Sequence, residues 1–253
     1  MSQPTSAATV IGGPVSPFVR KVLAVCEAKG VPYRLDPIVP FFGDDSFSCI
    51  SPLRRIPVYI DDAVTLCDST VICEYLEDRY PTPRLLPAGA AARAQVRWVE
   101  EFADTRLADI CIWRIFYQTV ILPFVFGKER DKAKIAKTVA EDLPQVLGYL
   151  EAIAPAEAFL AGELSLADIA VAAVLANLKW ARVVLEPTRW PKTLAWVERT
   201  TRTPGLGKIT GFAERLMQTP TGQHRAALAE LGVALTDTSC AAVAPRPGVM
   251  PLG

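Results

Sequence analysis

Over the first eighty positions, apolar and polar residues fall in short blocks whose period keeps changing. Thr9-Val10-Ile11-Gly12 is a β-branched run that predicts a strand. After Pro14-Val15-Ser16-Pro17, the apolar positions Val19, Val22, Leu23 and Cys26 recur at helical spacing, and Gly30 stands where a helix would stop. Tyr33-Arg34-Leu35-Asp36 predicts a second strand, followed by a loop from Val39 to Pro52 with room for one helical turn. Val58-Tyr59-Ile60 and Val64-Thr65-Leu66 predict two strands around the tight turn Asp61-Asp62-Ala63. Ser69 is placed to cap a helix that carries Val71, Ile72, Tyr75 and Leu76 on one face and ends before Pro81. The order β-α-β-α-β-β-α predicts a small mixed sheet with helices on both faces.

Beyond Pro81-Thr82-Pro83 and Pro87-Ala88-Gly89 the strand signals nearly vanish, and the spacing predicts helices over 91–117, 128–153, 166–182, 191–200 and 205–217. The expected organisation is therefore an α/β domain over 1–82, an all-α domain over 90–217, and an extension over 218–253 with one short helix near 223–231. The extension closes in Ala-, Pro- and Gly-rich sequence with little to pack.

Composition narrows the chemistry. Lys+Arg and Asp+Glu both number 27, so there is no electrostatic footprint for nucleic acid or an anionic membrane. No apolar run approaches the roughly 18–20 residues that cross a bilayer. The first residues lack the basic start and apolar core of a signal peptide. The six cysteines are scattered without a Cys-x-x-Cys pair and read as reduced thiols, with a cytoplasmic location as the default. With His224 the single histidine, His-dependent triads and multi-His metal sites are disfavoured, and no metal is expected.

Four local motifs carry the candidate chemistry. Ser16 lies between a strand and a helix, where unpaired N–H groups and the helix dipole favour an anion; the same position also describes a plain N-cap followed by Pro17 at the first helical position. Arg55-Ile56-Pro57 opens a strand, either as ordinary turn chemistry or as a cis-proline turn that exposes the Ile56 backbone. Asp68-Ser69 opens a helix whose end can bind a carboxylate with the groups that otherwise need capping. Ser165 and Asp168 have the spacing of a capping box, structural under any reading. Further on, Ile112, Trp113, Phe116, Tyr117 and Phe124 form an aromatic surface that is either core or pocket, and Cys111 reads as a buried small residue.

Taken in order, Ser16-Pro17-Phe18-Val19-Arg20-Lys21-Val22, Arg55-Ile56-Pro57-Val58, Asp68-Ser69-Thr70-Val71-Ile72 and Phe159–Gly162 with Ser165–Ala170 resemble the cytosolic glutathione transferases, in their serine-type, tau-like and related bacterial classes. The resemblance spans most of residues 9–215. It implies a thioredoxin-like N-terminal domain and an all-helical bundle. It also implies a detoxifying transferase that adds the thiolate of glutathione, the co-substrate, to a hydrophobic electrophile. In that resemblance Ser16 stabilises the thiolate, and Arg55, Ile56, cis-Pro57, Asp68 and Ser69 hold the tripeptide, with Arg54 as the alternative to Arg55. Trp113, Phe116 and Tyr117 line the acceptor pocket, and the protein is a homodimer. Two departures stand out: Asp68 replaces a usual Glu, and the loop Phe41-Phe42-Gly43-Asp44-Asp45 lacks the second basic residue the pattern expects. A glutathione-dependent isomerase, dehalogenase or ether-cleaving enzyme would share these motifs, as would a non-catalytic relative.

Overall fold

The computed structural model of the chain describes residues 7–246. They divide into two compact units, one made of the chain up to Pro83 together with the chain from Pro204 onward, the other of Arg84–Thr203.

In the first unit, strands β1 (Ala8–Ile11), β2 (Tyr33–Asp36), β3 (Val58–Ile60) and β4 (Thr65–Cys67) form one sheet in the order β2-β1-β3-β4. β1 runs parallel to β2 and antiparallel to β3, and β3 is antiparallel to β4. Helix α1 (Pro17–Lys29) makes the β1–β2 crossover and ends at Gly30, whose φ of 65° is the left-handed conformation that closes a helix. Helix α2 (Asp45–Ile50) fills the loop before β3, and α3 (Ser69–Arg79) follows β4. The apolar faces meet where the sequence pattern places them, with Val10, Val22, Leu23, Leu35, Val58, Ile72 and Leu76 fully buried. Val71 departs from the expected buried face of α3 and is 47 % exposed. At 100° per residue, Ile72 and Leu76 face the core and Val71 turns out toward solvent.

Helix α10 (Pro204–Met217) belongs to this unit and packs on α1, so the segment expected as helical domain over 90–217 divides at Pro204. A side chain at Gly205 would meet the Ala24 carbonyl at 3.1 Å and Glu27 Cβ at 3.2 Å, so the glycine lets the two helices approach. The extension is also more structured than its composition suggested. Helix α11 (His224–Glu230) buries Ala227 and Leu228, and the chain after it pairs in parallel with the free edge of β2 at Leu35 and Leu235. Backbone hydrogen bonds, which are blind to side-chain identity, and side-chain bonds to Asp36 and Asp237 together anchor this Ala- and Pro-rich segment.

The second unit is built of helices, with two isolated β-bridges in the connection at 159–163. A 37-residue helix, Ala90–Phe126, comprises α4 (Ala90–Phe102), segments Ala103–Leu107 and Asp109–Ile121 with wider, π-type spacing, and α5 (Leu122–Phe126). It runs past the expected end at residue 117 with Pro123 inside its last turn, and Gly127, at a φ of 62°, terminates it. By length and composition alone this helix could cross a bilayer, which corrects the expectation that no apolar stretch was long enough. Within it Arg114 pairs with Asp109 at 2.6 Å and reaches Asp142 at 3.4 Å, and its middle packs on α8 (Leu166–Trp180). The remaining helices are α6 (Lys132–Lys137), α7 (Leu143–Ile153) and α9 (Pro191–Thr201). Ser165 and Asp168 form the expected capping box at the start of α8.

Candidate functional site

Gly12 ends β1 with a φ of 138°, and a side chain there would collide with Val19 Cγ2 at 2.6 Å and Ile56 Cβ at 2.9 Å. This glycine therefore brings the start of α1 and the Ile56 turn together. Gly13 N–H donates to Ile38 O at 2.7 Å, and its own carbonyl accepts from Ser16 N–H at 3.0 Å. Those bonds turn the chain into α1 with Ser16 at its N-cap.

Ser16 Oγ accepts from Val19 N–H at 3.5 Å, a long capping bond, and the residue is half-buried. The hydroxyl proton makes no hydrogen bond among the described residues. A hydroxyl has one donor and two acceptor sites, so Ser16 can cap α1 and still donate outward. The two readings of the sequence are thus compatible. The turn before Ser16 is held from inside by Arg20, a residue that sequence reasoning passed over. Its fully buried guanidinium donates to Pro14 O at 2.8 Å and Val15 O at 2.9 Å. Burial lowers its pKa to about 9, above neutrality, so the cation persists at physiological pH. A basic residue four positions past Ser16, inside a run otherwise spaced for the core, was the available signal.

The Ile56–Pro57 peptide is cis. Ile56 is buried, and its N–H and C=O make no hydrogen bond among the described residues, leaving one donor and one acceptor for a partner backbone. Arg54 and Arg55 separate clearly. Arg54, at a φ of 50°, donates to Gly43 O at 2.7 Å and to Ser48 Oγ, and its guanidinium lies 5.9 Å from the Phe47 ring centre. Arg55 is exposed, and its guanidinium makes no contact with a charged or polar group among the described residues. Its backbone is clamped instead, N–H to Ser51 Oγ at 3.0 Å and C=O from the same hydroxyl at 2.8 Å.

At α3 the cap is Asp68, not Ser69, which corrects the expectation. Asp68 Oδ1 accepts from Thr70 N–H at 2.9 Å and Val71 N–H at 3.3 Å, and Ser69 becomes the buried first residue of the helix. A carboxylate outcompetes a hydroxyl for orphan N–H groups because its charge also meets the helix dipole. Asp68 sits at a φ of 82°, rare for a non-glycine residue. Backbone outliers of this kind cluster at functional sites. The buried Lys21 of α1 donates to Thr70 Oγ1 at 3.2 Å and so ties this helix start to α1.

The residues expected to line the acceptor pocket lie on Asp109–Ile121 in the helical unit. Phe116 and Tyr117 are buried and Trp113 half-buried. Trp113 and Tyr117 are neighbours, ring centres 6.3 Å apart, with Phe126 next to Tyr117 at 6.5 Å. Phe116 turns instead to Trp180 at 6.5 Å. Burial raises the Tyr117 phenol, which stays protonated and able to donate at neutral pH. Phe124 is 78 % exposed and outside this cluster. Cys111 is fully buried, its thiol pushed up by desolvation and inert as a nucleophile.

Residues 10–84 match the family model for the glutathione S-transferase N-terminal domain, and residues 117–208 the model for its C-terminal domain. The chain is 30 % identical over 214 residues to glutathione S-transferase 4 of Zea mays, covering 82 % of this chain and 94 % of the maize protein. It is 27 % identical over 174 residues to maleylacetoacetate isomerase of Rattus norvegicus, covering 67 % of this chain and 76 % of the rat protein. Among solved structures, a glutathione S-transferase from Rhodospirillum rubrum F11 superposes with a TM-score of 0.73 at 26 % identity, covering 80 % of this chain and 91 % of that one. The mixed-sheet unit, the helical unit and both family matches together establish that this chain belongs to the glutathione S-transferase family.

Proposed function

We propose that the protein is a transferase that adds the glutathione thiolate to an electrophilic carbon of a hydrophobic small molecule. The observation that carries the proposal is Ser16, a hydroxyl whose proton is uncommitted at the N-terminus of α1. A thiol titrates near pH 8.5, and lowering that by about two units requires roughly 2.7 kcal/mol of selective thiolate stabilisation. The Ser16 O–H, donating while its oxygen accepts from Val19 N–H, and the dipole of α1 act on the sulfur in the same direction. Ile56 N–H and C=O take the cysteinyl backbone as an added strand. Arg55 takes the glycyl carboxylate. The start of α3 takes the γ-glutamyl end, its carboxylate at the Ser69 N-terminus and its ammonium at Asp68, whose Oδ2 is not used by the cap.

The reacting step needs only the thiolate and the electrophile. The sulfur lone pair forms the new C–S bond, and the leaving group departs with the bonding pair, or in an addition the adjacent carbon takes a proton from solvent. Positioning does much of the rest. On this reading Trp113, Phe116 and Tyr117 belong to the acceptor pocket, and the enzyme works in the cytoplasm as a homodimer without a metal. A second reading, reversible addition of the thiolate to a double bond followed by its expulsion after rotation, is favoured by the similarity to the rat isomerase. Conjugation of an activated chloroarene, followed by its absorbance with and without Ser16→Ala, tests the first reading. Equal rates would remove Ser16 from the mechanism. Conversion of a cis-enedione at catalytic glutathione, without net consumption of thiol, would select the second.

A further inference from the structure

Residues 233–246 run along the edge of β2 and the loop that follows it. The segment first pairs with β2, Leu35 N–H donating to Ala234 O at 2.8 Å and Thr236 N–H to Leu35 O at 3.2 Å. It is then anchored on Asp36, a carboxylate only 2 % exposed at the end of β2. Asp36 accepts from Arg225 at 3.1 Å, Ser239 Oγ at 2.7 Å and Cys240 N–H at 2.8 Å. From there the segment follows the loop after β2. Asp44 N–H donates to Cys240 O at 2.9 Å, Ala242 N–H to Phe42 O at 2.5 Å, and Arg246 N–H to Phe41 O at 2.6 Å. The Arg246 guanidinium pairs with Asp45 at 2.5 Å.

The same loop is wired to the site from its other side. Ile38 O holds Gly13, which holds Ser16 N–H. Asp44 caps α2 through Phe47 N–H at 2.9 Å, and Gly43 O and Ser48 Oγ hold the Arg54 guanidinium. Arg54 directly precedes Arg55 and Ile56. Gly43 leaves no slack, since a side chain there would overlap the Phe47 ring at 2.1 Å. The loop has no Lys or Arg of its own to bind an anion or brace itself. Its corner is braced from outside by Arg54 and by the extension.

We propose that residues 233–246 are a positioning element for the glutathione site, holding the Phe41–Asp45 loop and, through α2 and Arg54, the Arg55-Ile56 backbone that receives the tripeptide. This rests on the glutathione reading of the site. Two full-length variants test it. Ala242→Pro removes the N–H that reaches Phe42 O, and Ser239→Ala removes one hydroxyl from the Asp36 anchor; neither residue belongs to the binding machinery. Steady-state kinetics with an activated chloroarene, glutathione titration by calorimetry and hydrogen exchange at the Asp44 and Phe47 amides are compared with the unmodified chain.

The expected result is a rise in KM for glutathione of about tenfold for Ala242→Pro and about threefold for Ser239→Ala. In both variants kcat at saturating glutathione stays within about twofold, and exchange at both amides is faster. Faster exchange with unchanged KM would overturn the proposal, as would a fall in kcat that tracks a loss of thermal stability. If the unmodified chain takes up no glutathione, the reading of the site itself fails. If it binds glutathione and the variants bind equally well, only the positioning role fails.

Discussion

Two helices in this molecule, α1 and α8, have a serine as N-cap, and the two starts are built in opposite ways. At α8 the cap is sealed. Ser165 and Asp168 are both fully buried, and the Asp168 carboxylate accepts from Leu160 N–H, Ser165 N–H, Ser165 Oγ and Trp196 Nε1 at 2.5–2.9 Å. At α1 the cap is left open. Ser16 reaches a single N–H at 3.5 Å, lies half-exposed, and keeps its own proton uncommitted. A sealed cap turns all its polar capacity into stability, and an open one keeps capacity for a ligand. The difference lies in the surroundings: α8 starts beneath its own unit's chain and a tryptophan, whereas α1 starts at a turn shaped by Gly12, Gly13 and the inward-facing Arg20.

The largest effect should come from breaking the sealed end. Asp168→Ala strands four donors in a dry interior and should cost about 4 kcal/mol or more, read as a drop in the denaturant midpoint. Ser16→Ala should do the reverse of this, lowering kcat/KM for conjugation by about a hundredfold while unfolding free energy changes by no more than about 1 kcal/mol. Equal stability losses at the two ends would erase the contrast. A smaller effect separates the adjacent arginines. Arg55→Ala should weaken glutathione binding about tenfold by calorimetry without moving the thermal midpoint, whereas Arg54→Ala should lower the midpoint by loosening the 43–48 corner. The smallest concerns acid. Hydrogen bonds from Ser46 Oγ and Phe47 N–H hold the Asp44 carboxyl below its ordinary value. As pH falls the unfolded chain takes up that proton first, so the stability this carboxylate gives α2 is complete above about pH 4 and declines as pH falls further. Amide exchange at Phe47 should rise over that range and not above it.

Much of the fold is legible in the sequence, because its signals are local. The strands at 8–11, 33–36 and 58–60 and the stop at Gly30 follow from β-branched runs, helical spacing and a left-handed glycine. The site is legible to a lesser degree. Ser16, Ile56-Pro57 and Arg55 sit where short motifs place them, but Asp68 takes the capping role assigned to Ser69, since charge at a helix start is not visible in spacing. The aromatic stretch at 113–117 divides between two neighbourhoods, because a helix widened to π-type spacing no longer follows the 3.6-residue face.

By itself, the sequence determines that a serine opens α1, that a proline opens β3 and that an acidic-serine pair opens α3, since each depends on backbone preferences of adjacent residues. Only the tertiary structure decides that Ser16 keeps its proton free, that Arg54 is consumed and Arg55 is not, and that the last described residues lie along β2 and the Phe41–Asp45 loop. Those outcomes depend on hydrogen-bond competition between groups as much as two hundred positions apart, such as Asp36 with Ser239 and Cys240. No local pattern records which of several donors reaches a given oxygen.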